Sequence, residues 1–295
     1  MRPARLASVL LVLVLPATAC GPAETRGGAG VRIVAAENVW GDIARQLGGA
    51  RVSVRSIIGD PRDDPHQYES AARDAASVAD ADIVIVNGAG YDDFVGRLLS
   101  KTSNDTRVVV NVGDVLRAGS GANPHLWYDL PRVPEVARAI ESALATVAPG
   151  GRASFAANLK TFRASLVPAE RLVAEIRTRY PHAPVAYTER FPGYLLDAAG
   201  LTVASPPGFA RAIEDGNEPS AGDAQAMQDL ITQHRIRALL YNAQATSPVT
   251  ERVQDLARRA GIPVVAVTET LPEHEPSFQA WQQHQLDALL TALGG

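Results

Sequence analysis

The stretch GRASFAANLKTFRASLVPAERLVAEIRTRY, residues 151–180, is the one on which the reading of the fold turns. Phe155, Leu159, Phe162, Leu166, Leu172 and Ile176 recur there at helical spacing, which predicts an amphipathic helix of about 30 residues. Pro168 falls inside the pattern and predicts a kink, because proline lacks the N–H of the ladder and its ring crowds the carbonyl four residues back. A helix of this length is either one helix of a single lobe or a stiff connector between two. Its flanks decide which.

On both sides, short β-rich runs alternate with helical patterns. N-terminal to it, RIVAAE (32–37), RVSVRSII (51–58), DIVIVNG (82–88) and RVVVNV (107–112) are each followed by a helix-like segment. C-terminal to it, PVAYTE (184–189), LTVAS (201–205), IRALLYN (236–242) and IPVVAV (262–267) keep the same rhythm. The runs are short and lack strict alternation, as parallel strands buried on both faces do. Strand–helix alternation on each side predicts two doubly wound α/β lobes. The expected boundaries are 31–148 for the N-terminal lobe, 149–181 for the connecting helix and 182–295 for the C-terminal lobe.

The 295 residues suffice for two such lobes, and 46% apolar with 20% charged residues is an ordinary globular composition. A net charge of −4 with no basic stripe argues against a nucleic-acid partner. The first residues differ from the rest. MRPAR carries positive charge and LASVLLVLVL is apolar. The apolar run is too short for a bilayer span of roughly 17–25 residues, but it suits an export signal. Residues 1–19 therefore read as a signal peptide. Cys20, the sole cysteine, has no partner for a disulfide in a monomer. Placed after small residues at the cleavage site it resembles a lipobox cysteine, although Ala17 stands where leucine is usual. Residues 20–30 then read as a lipidated flexible tether. The expected location is extracytoplasmic, anchored to the cell membrane as a lipoprotein.

In open α/β sheets, ligands sit beyond the carboxyl ends of the strands. There the chain places His66, His125, Glu189 and Glu269, in GDPRDDPHQYES, GANPHLWYD, YTERFPGY and VTETLPEHEP. Each alone reads as an ordinary loop residue, and Glu189 by itself is a solvated acid. Together, two imidazoles from one lobe and two carboxylates from the other would neutralise a divalent cation with a mixed nitrogen–oxygen donor set. Asn242 lies at another strand end and suits a hydrogen-bond partner of such ligands; Trp40, Trp127 and Trp281 read as packing residues, and Trp127, just after His125, also suits a wall. His182, His234 and His284 read as surface residues, while His274 is near enough to Glu269 to approach the cleft mouth.

In order and spacing, DDPHQYES, ADIVIVNGAGYDDF, NPHLWYD, YTERFPGYLLDAAGL and GIPVVAVTETLP resemble the metal-binding receptors of ABC importers for zinc and manganese, the cluster A-I substrate-binding proteins. The resemblance covers nearly the whole mature chain. It implies two α/β lobes joined by a long rigid helix, with a metal in the cleft between them. His66 and His125 match the family's first two ligands. At the third, zinc-type receptors generally carry histidine and manganese-type receptors glutamate, and this chain has Glu189. The fourth is usually aspartate and here is Glu269. The histidine-rich loop common in zinc importers is missing from the sequence between the first-lobe ligands, which also tilts towards manganese.

The implied function is capture of manganese or zinc and delivery to an ABC permease with its cytoplasmic ATPase, by a monomer held at the membrane through its lipid. The transported ion is then the only cofactor-like ligand. A metal-dependent hydrolase built on the same His/Glu cluster is the alternative, but the sequence has no H-E-x-x-H or G-x-S-x-G motif. A surface adhesin is permitted by the exposed placement and demanded by no residue. The expectation is a receptor, not an enzyme.

Overall fold

The computed structural model describes residues 30–59, 68 and 70–294. The expected signal peptide, Cys20, most of the tether and His66 lie outside the described residues.

The first sheet comprises β1 (Val31–Glu37), β2 (Val52–Ile58), β3 (Ile83–Val86) and β4 (Val108–Asn111). Its order is β2-β1-β3-β4, and every pairing is parallel. Helices α1 (Asn38–Gly48), α2 (Ala72–Asp80) and α3 (Asp93–Lys101) make the crossovers. After β4 the chain passes through α4 (Val112–Leu116) and α5 (Val133–Val147) into α6 (Arg152–Arg179). The second sheet comprises β5 (Pro184–Tyr187), β6 (Thr202–Val203), β7 (Leu239–Asn242) and β8 (Val264–Val267), in the order β6-β5-β7-β8 and again parallel. Its helices are α7 (Gly193–Ala198), α8 (Pro207–Glu214), α9 (Ala221–Thr232), α10 (Pro248–Arg259) and α11 (Phe278–Ala292). Two sheets of matching strand order joined by a long helix are the architecture expected from the alternating pattern.

The absence of strict alternation has its cause in the packing. Along β1, Ile33 and Ala35 enter the main core, while Val34 and Ala36 enter a second cluster on the opposite face with Val84, Val86 and Phe94. In the second sheet, Val185 and Leu240 face the main core, whereas Ala186 and Leu239 face a cluster with Phe209 and Met227. These central strands are dry on both faces, so polar residues are excluded from either register there, whereas the edge strand β2 exposes Ser53 and Arg55. The main core is continuous from the first sheet, through α1, α5, α6 and α11, into the second. It contains the fully buried Trp40, Trp127, Tyr128 and Trp281.

The helix α6 runs unbroken through Pro168. Phe155, Phe162, Leu166, Ala169, Val173 and Ile176 form its buried stripe, with Leu159 and Leu172 only partly covered. Burying each phenylalanine stabilises the joint by roughly 1.5–3 kcal/mol. Pro168 and Ala164 are exposed, so the carbonyl freed by the missing N–H faces water and the packed stripe is undisturbed. That placement lets the helical run continue through the proline. No helix among the described residues is long and apolar enough to cross a membrane.

Two short helices escape the sequence pattern. α4 is too brief for a period to show. The Asn111 side chain starts it by accepting from the Asp114 N–H at 3.1 Å, and Arg117, at φ 51°, ends it. His125 thus lies beyond α4 and not directly at the end of β4. α8 begins at Pro207 in a Pro-Pro-Gly run, proline being well tolerated in a first helical turn.

Candidate metal centre

The carboxyl ends of the two sheets bring His125, Glu189 and Glu269 together. All three are buried, at 0%, 4% and 2% exposure. His125 precedes a single 3-10 turn, Leu126–Tyr128. Its ring is walled edge-on by Tyr91, Trp127 and Phe191, with centroids 5.3, 5.5 and 6.0 Å away. Nδ1 lies 2.6 Å from Oδ1 of Asn123, whose own amide nitrogen donates to the Arg190 carbonyl at 2.7 Å. The Asn123 oxygen must therefore accept, so Nδ1 carries a proton and Nε2 faces the opposite lobe.

There Nε2 stands 2.9 Å from Oε1 of Glu269, which also accepts the Tyr91 hydroxyl at 2.7 Å. In the neutral imidazole fixed by Asn123, Nε2 is itself an acceptor. Two acceptors this close need a proton or a cation between them. Two donors each bound at roughly 2.1 Å to one ion also stand about 3 Å apart. Asn242, at the end of β7, divides its amide between Oε2 of Glu189 (3.1 Å) and Oε2 of Glu269 (3.4 Å). The two carboxylates thus sit side by side at low exposure, an arrangement that favours a cation.

The scaffold around Glu269 is densely tied. Its N–H and that of Thr270 donate to Oε1 of Gln244 at 2.8 and 2.9 Å, and its carbonyl accepts the Trp127 indole at 3.0 Å. Leu271 exchanges two hydrogen bonds with the Asn38 side chain, at 2.8 and 3.1 Å. Tyr91 reaches Glu269 from a tight turn after β3, where Gly88, Ala89 and Gly90 all take positive φ. A Cβ on Gly88 would come within 2.4 Å of the Asn111 side chain, so glycine is required on two counts. Asp92 closes the turn by accepting the N–H groups of Asn87 and Gly88 at 2.6 and 2.7 Å. Burial raises its pKa, and these backbone donors oppose the shift.

Arg190, next to Glu189, makes two 2.7 Å hydrogen bonds to Glu214 that keep its guanidinium charged. A cavity of about 360 Å³ opens here, lined by Tyr91, Pro124, Arg190, Arg211 and Glu214 among others. The other described histidines are exposed. His182 and His234 occupy left-handed turns. His284 pairs with Glu275 at 2.9 Å and His274 lies 4.0 Å from the same carboxylate, a contact outside the cleft cluster. Among the described residues, no group of three or more His, Cys, Asp or Glu side chains is arranged to hold a metal ion; His66 is not among them.

Sequence reasoning anticipated Asn242 and Trp127 but missed Tyr91, Asn123 and Gln244. Tyr91 follows a strand end and was open to the logic that found the others. Asn123, two residues before His125, carried no comparable signal.

The manganese-binding lipoprotein MntA of Halalkalibacterium halodurans is 30% identical over 181 residues, a match spanning 59% of this chain and 59% of that protein. The zinc-binding protein TroA of Treponema pallidum is 23% identical over 272 residues, 85% of each chain. The solved structure of that periplasmic zinc-binding protein superposes with a TM-score of 0.77 at 19% identity, covering 90% of this chain and all of the other. The model of the family described as zinc-uptake complex component A, periplasmic, matches residues 33–292. Spanning both sheets, the long helix and all the described cleft residues, that match establishes that the chain belongs to the ZnuA family of periplasmic zinc-uptake components.

Proposed function

We propose that this chain is the extracytoplasmic receptor of an ABC importer, capturing one divalent transition metal, manganese or zinc, and passing it to a membrane permease energised by a cytoplasmic ATPase. The observation that carries the reading is the 2.9 Å approach of His125 Nε2 to Glu269 Oε1, beside Glu189. His66, His125, Glu189 and Glu269 are the proposed ligands. Two neutral nitrogens and two carboxylates balance a divalent charge, and small side-chain adjustments about Asn242 and Tyr91 would let the donors converge. Asn123 and Tyr91 orient His125 and Glu269, the role outer partners play at metal sites. The cavity beside Tyr91 and Arg190 gives a hydrated ion its approach.

Glutamate at 189 favours manganese over the histidine-rich alternative, and the curated relatives include manganese-binding lipoproteins. Zinc nevertheless has the higher intrinsic affinity for such donors, so the delivered ion follows availability. The chain acts as a monomeric receptor without a catalytic step, tethered through lipid on Cys20. Tethering would raise its effective concentration at the permease.

Titration of the purified mature protein tests this. One equivalent of Mn²⁺ or Zn²⁺ is expected to bind, with zinc displacing manganese. At a hundredfold excess over Kd, the folded state should gain about 2.7 kcal/mol. No uptake of either ion, or no rise in melting temperature on uptake, would overturn the reading.

A further inference from the structure

Glu37 ends β1 at the same sheet edge, yet it belongs to no part of the metal reading. It is completely buried, at 0% exposure, and neither carboxylate oxygen meets a donor. An ionised carboxylate in that position would be severely destabilising. Burial is the main influence on it and the Asp92 carboxylate the next, and both push its pKa well above the usual carboxylate range. Asp92 is the charged group facing Glu37, and Asp93 acts in turn on Asp92. β2, paired beside β1, brings Ile58 opposite Glu37, and the strand residues of β3, Ile83–Val86, are all apolar, so neither neighbouring strand offers a cation there.

Protonation resolves the geometry. A neutral Glu37 gains a hydroxyl, and Asp92 is the acceptor within reach. We propose that Glu37 is held as the neutral acid, donating its proton to Asp92, and thereby acts as a positioning residue for the turn at residues 87–92 that presents Tyr91 to Glu269. Asp92 then makes three hydrogen bonds, two to the turn's backbone and one to β1. The proton stays within the pair, so the two carboxyls titrate as a unit. Loss of that proton would set two carboxylates against each other beneath the turn. The role of Tyr91 rests on the proposed metal reading; the protonation of Glu37 does not.

The sign of the pH dependence follows. A carboxyl whose folded pKa is raised binds a proton more tightly when folded. Its contribution is full below the unfolded pKa and is lost as pH rises towards the folded value. Glu37→Gln supplies a permanent neutral donor to Asp92. Its melting temperature relative to wild type should therefore rise steadily from about pH 5 to about pH 8. It should keep wild-type Mn²⁺ affinity, whereas Glu37→Ala should lose roughly tenfold. A Glu37→Gln variant with no pH-dependent gain, or with the same affinity loss as Glu37→Ala, would overturn the proposal. Should Glu37→Gln not fold, infrared spectra of the wild type at neutral pH decide it. A protonated-carboxyl stretch supports the pair, and its absence rejects it. If wild type binds no metal at all, the proposed function fails while the melting and infrared results still judge the proton.

Discussion

The two lobes share a strand order but not a chemistry. The first sheet edge presents an imidazole, a phenol and the turn amides closed by Asp92, all positioned by backbone or side-chain hydrogen bonds. The second presents two carboxylates that share one amide from Asn242. One lobe thus supplies neutral donors and the other negative charge. Apart, each is an ordinary α/β domain. Facing each other, they set the Glu269 carboxylate against the imidazole and the phenol.

The largest effect expected from breaking this division is at Glu269, whose carboxylate meets Tyr91 and His125 from one lobe and Asn242 from the other. Glu269→Ala should reduce Mn²⁺ affinity at least ~100-fold, measured by calorimetric titration; retention within tenfold would remove Glu269 from the ligand set. Glu189→His would replace charge by a neutral nitrogen on the acidic side. The ratio of zinc to manganese affinity should then rise by an order of magnitude or so, read by competition between the ions, and an unchanged ratio would deny Glu189 its part in selection. Tyr91→Phe deletes only the hydroxyl reaching across to Glu269. A loss of about tenfold in affinity is expected with little change in fold, checked by titration and circular dichroism. Asn38→Ala severs the paired hydrogen bonds to Leu271, two residues beyond Glu269, and removes no proposed ligand, so the loss of affinity should be smaller than that of Tyr91→Phe. Stability should fall by about 1–3 kcal/mol, seen in chemical denaturation.

Much of this was legible in the sequence because parallel strands buried on both faces leave short apolar runs, and eight of them flank one long helical period. Glu189 and Glu269 were legible for the related reason that a strand's carboxyl end is where an α/β fold keeps its chemistry. Other features were hidden by their scale. α4 is a single turn started by Asn111, and α8 begins in proline and glycine. Tyr91 and Asn123 act through contacts across the cleft that no local pattern encodes. Glu37 looks from sequence like any strand-end acid; only its complete burial beside Asp92 reveals a proton. Pro168, at an exposed position, leaves the helical run unbroken.

The central claim is that one ion bridges the two lobes through His66, His125, Glu189 and Glu269. Crystals of the Mn²⁺-loaded protein, measured at the manganese absorption edge, test it most directly. A single anomalous peak is expected within about 2.0–2.3 Å of donor atoms from all four side chains. A peak elsewhere, or one bound by residues of a single lobe, would contradict it.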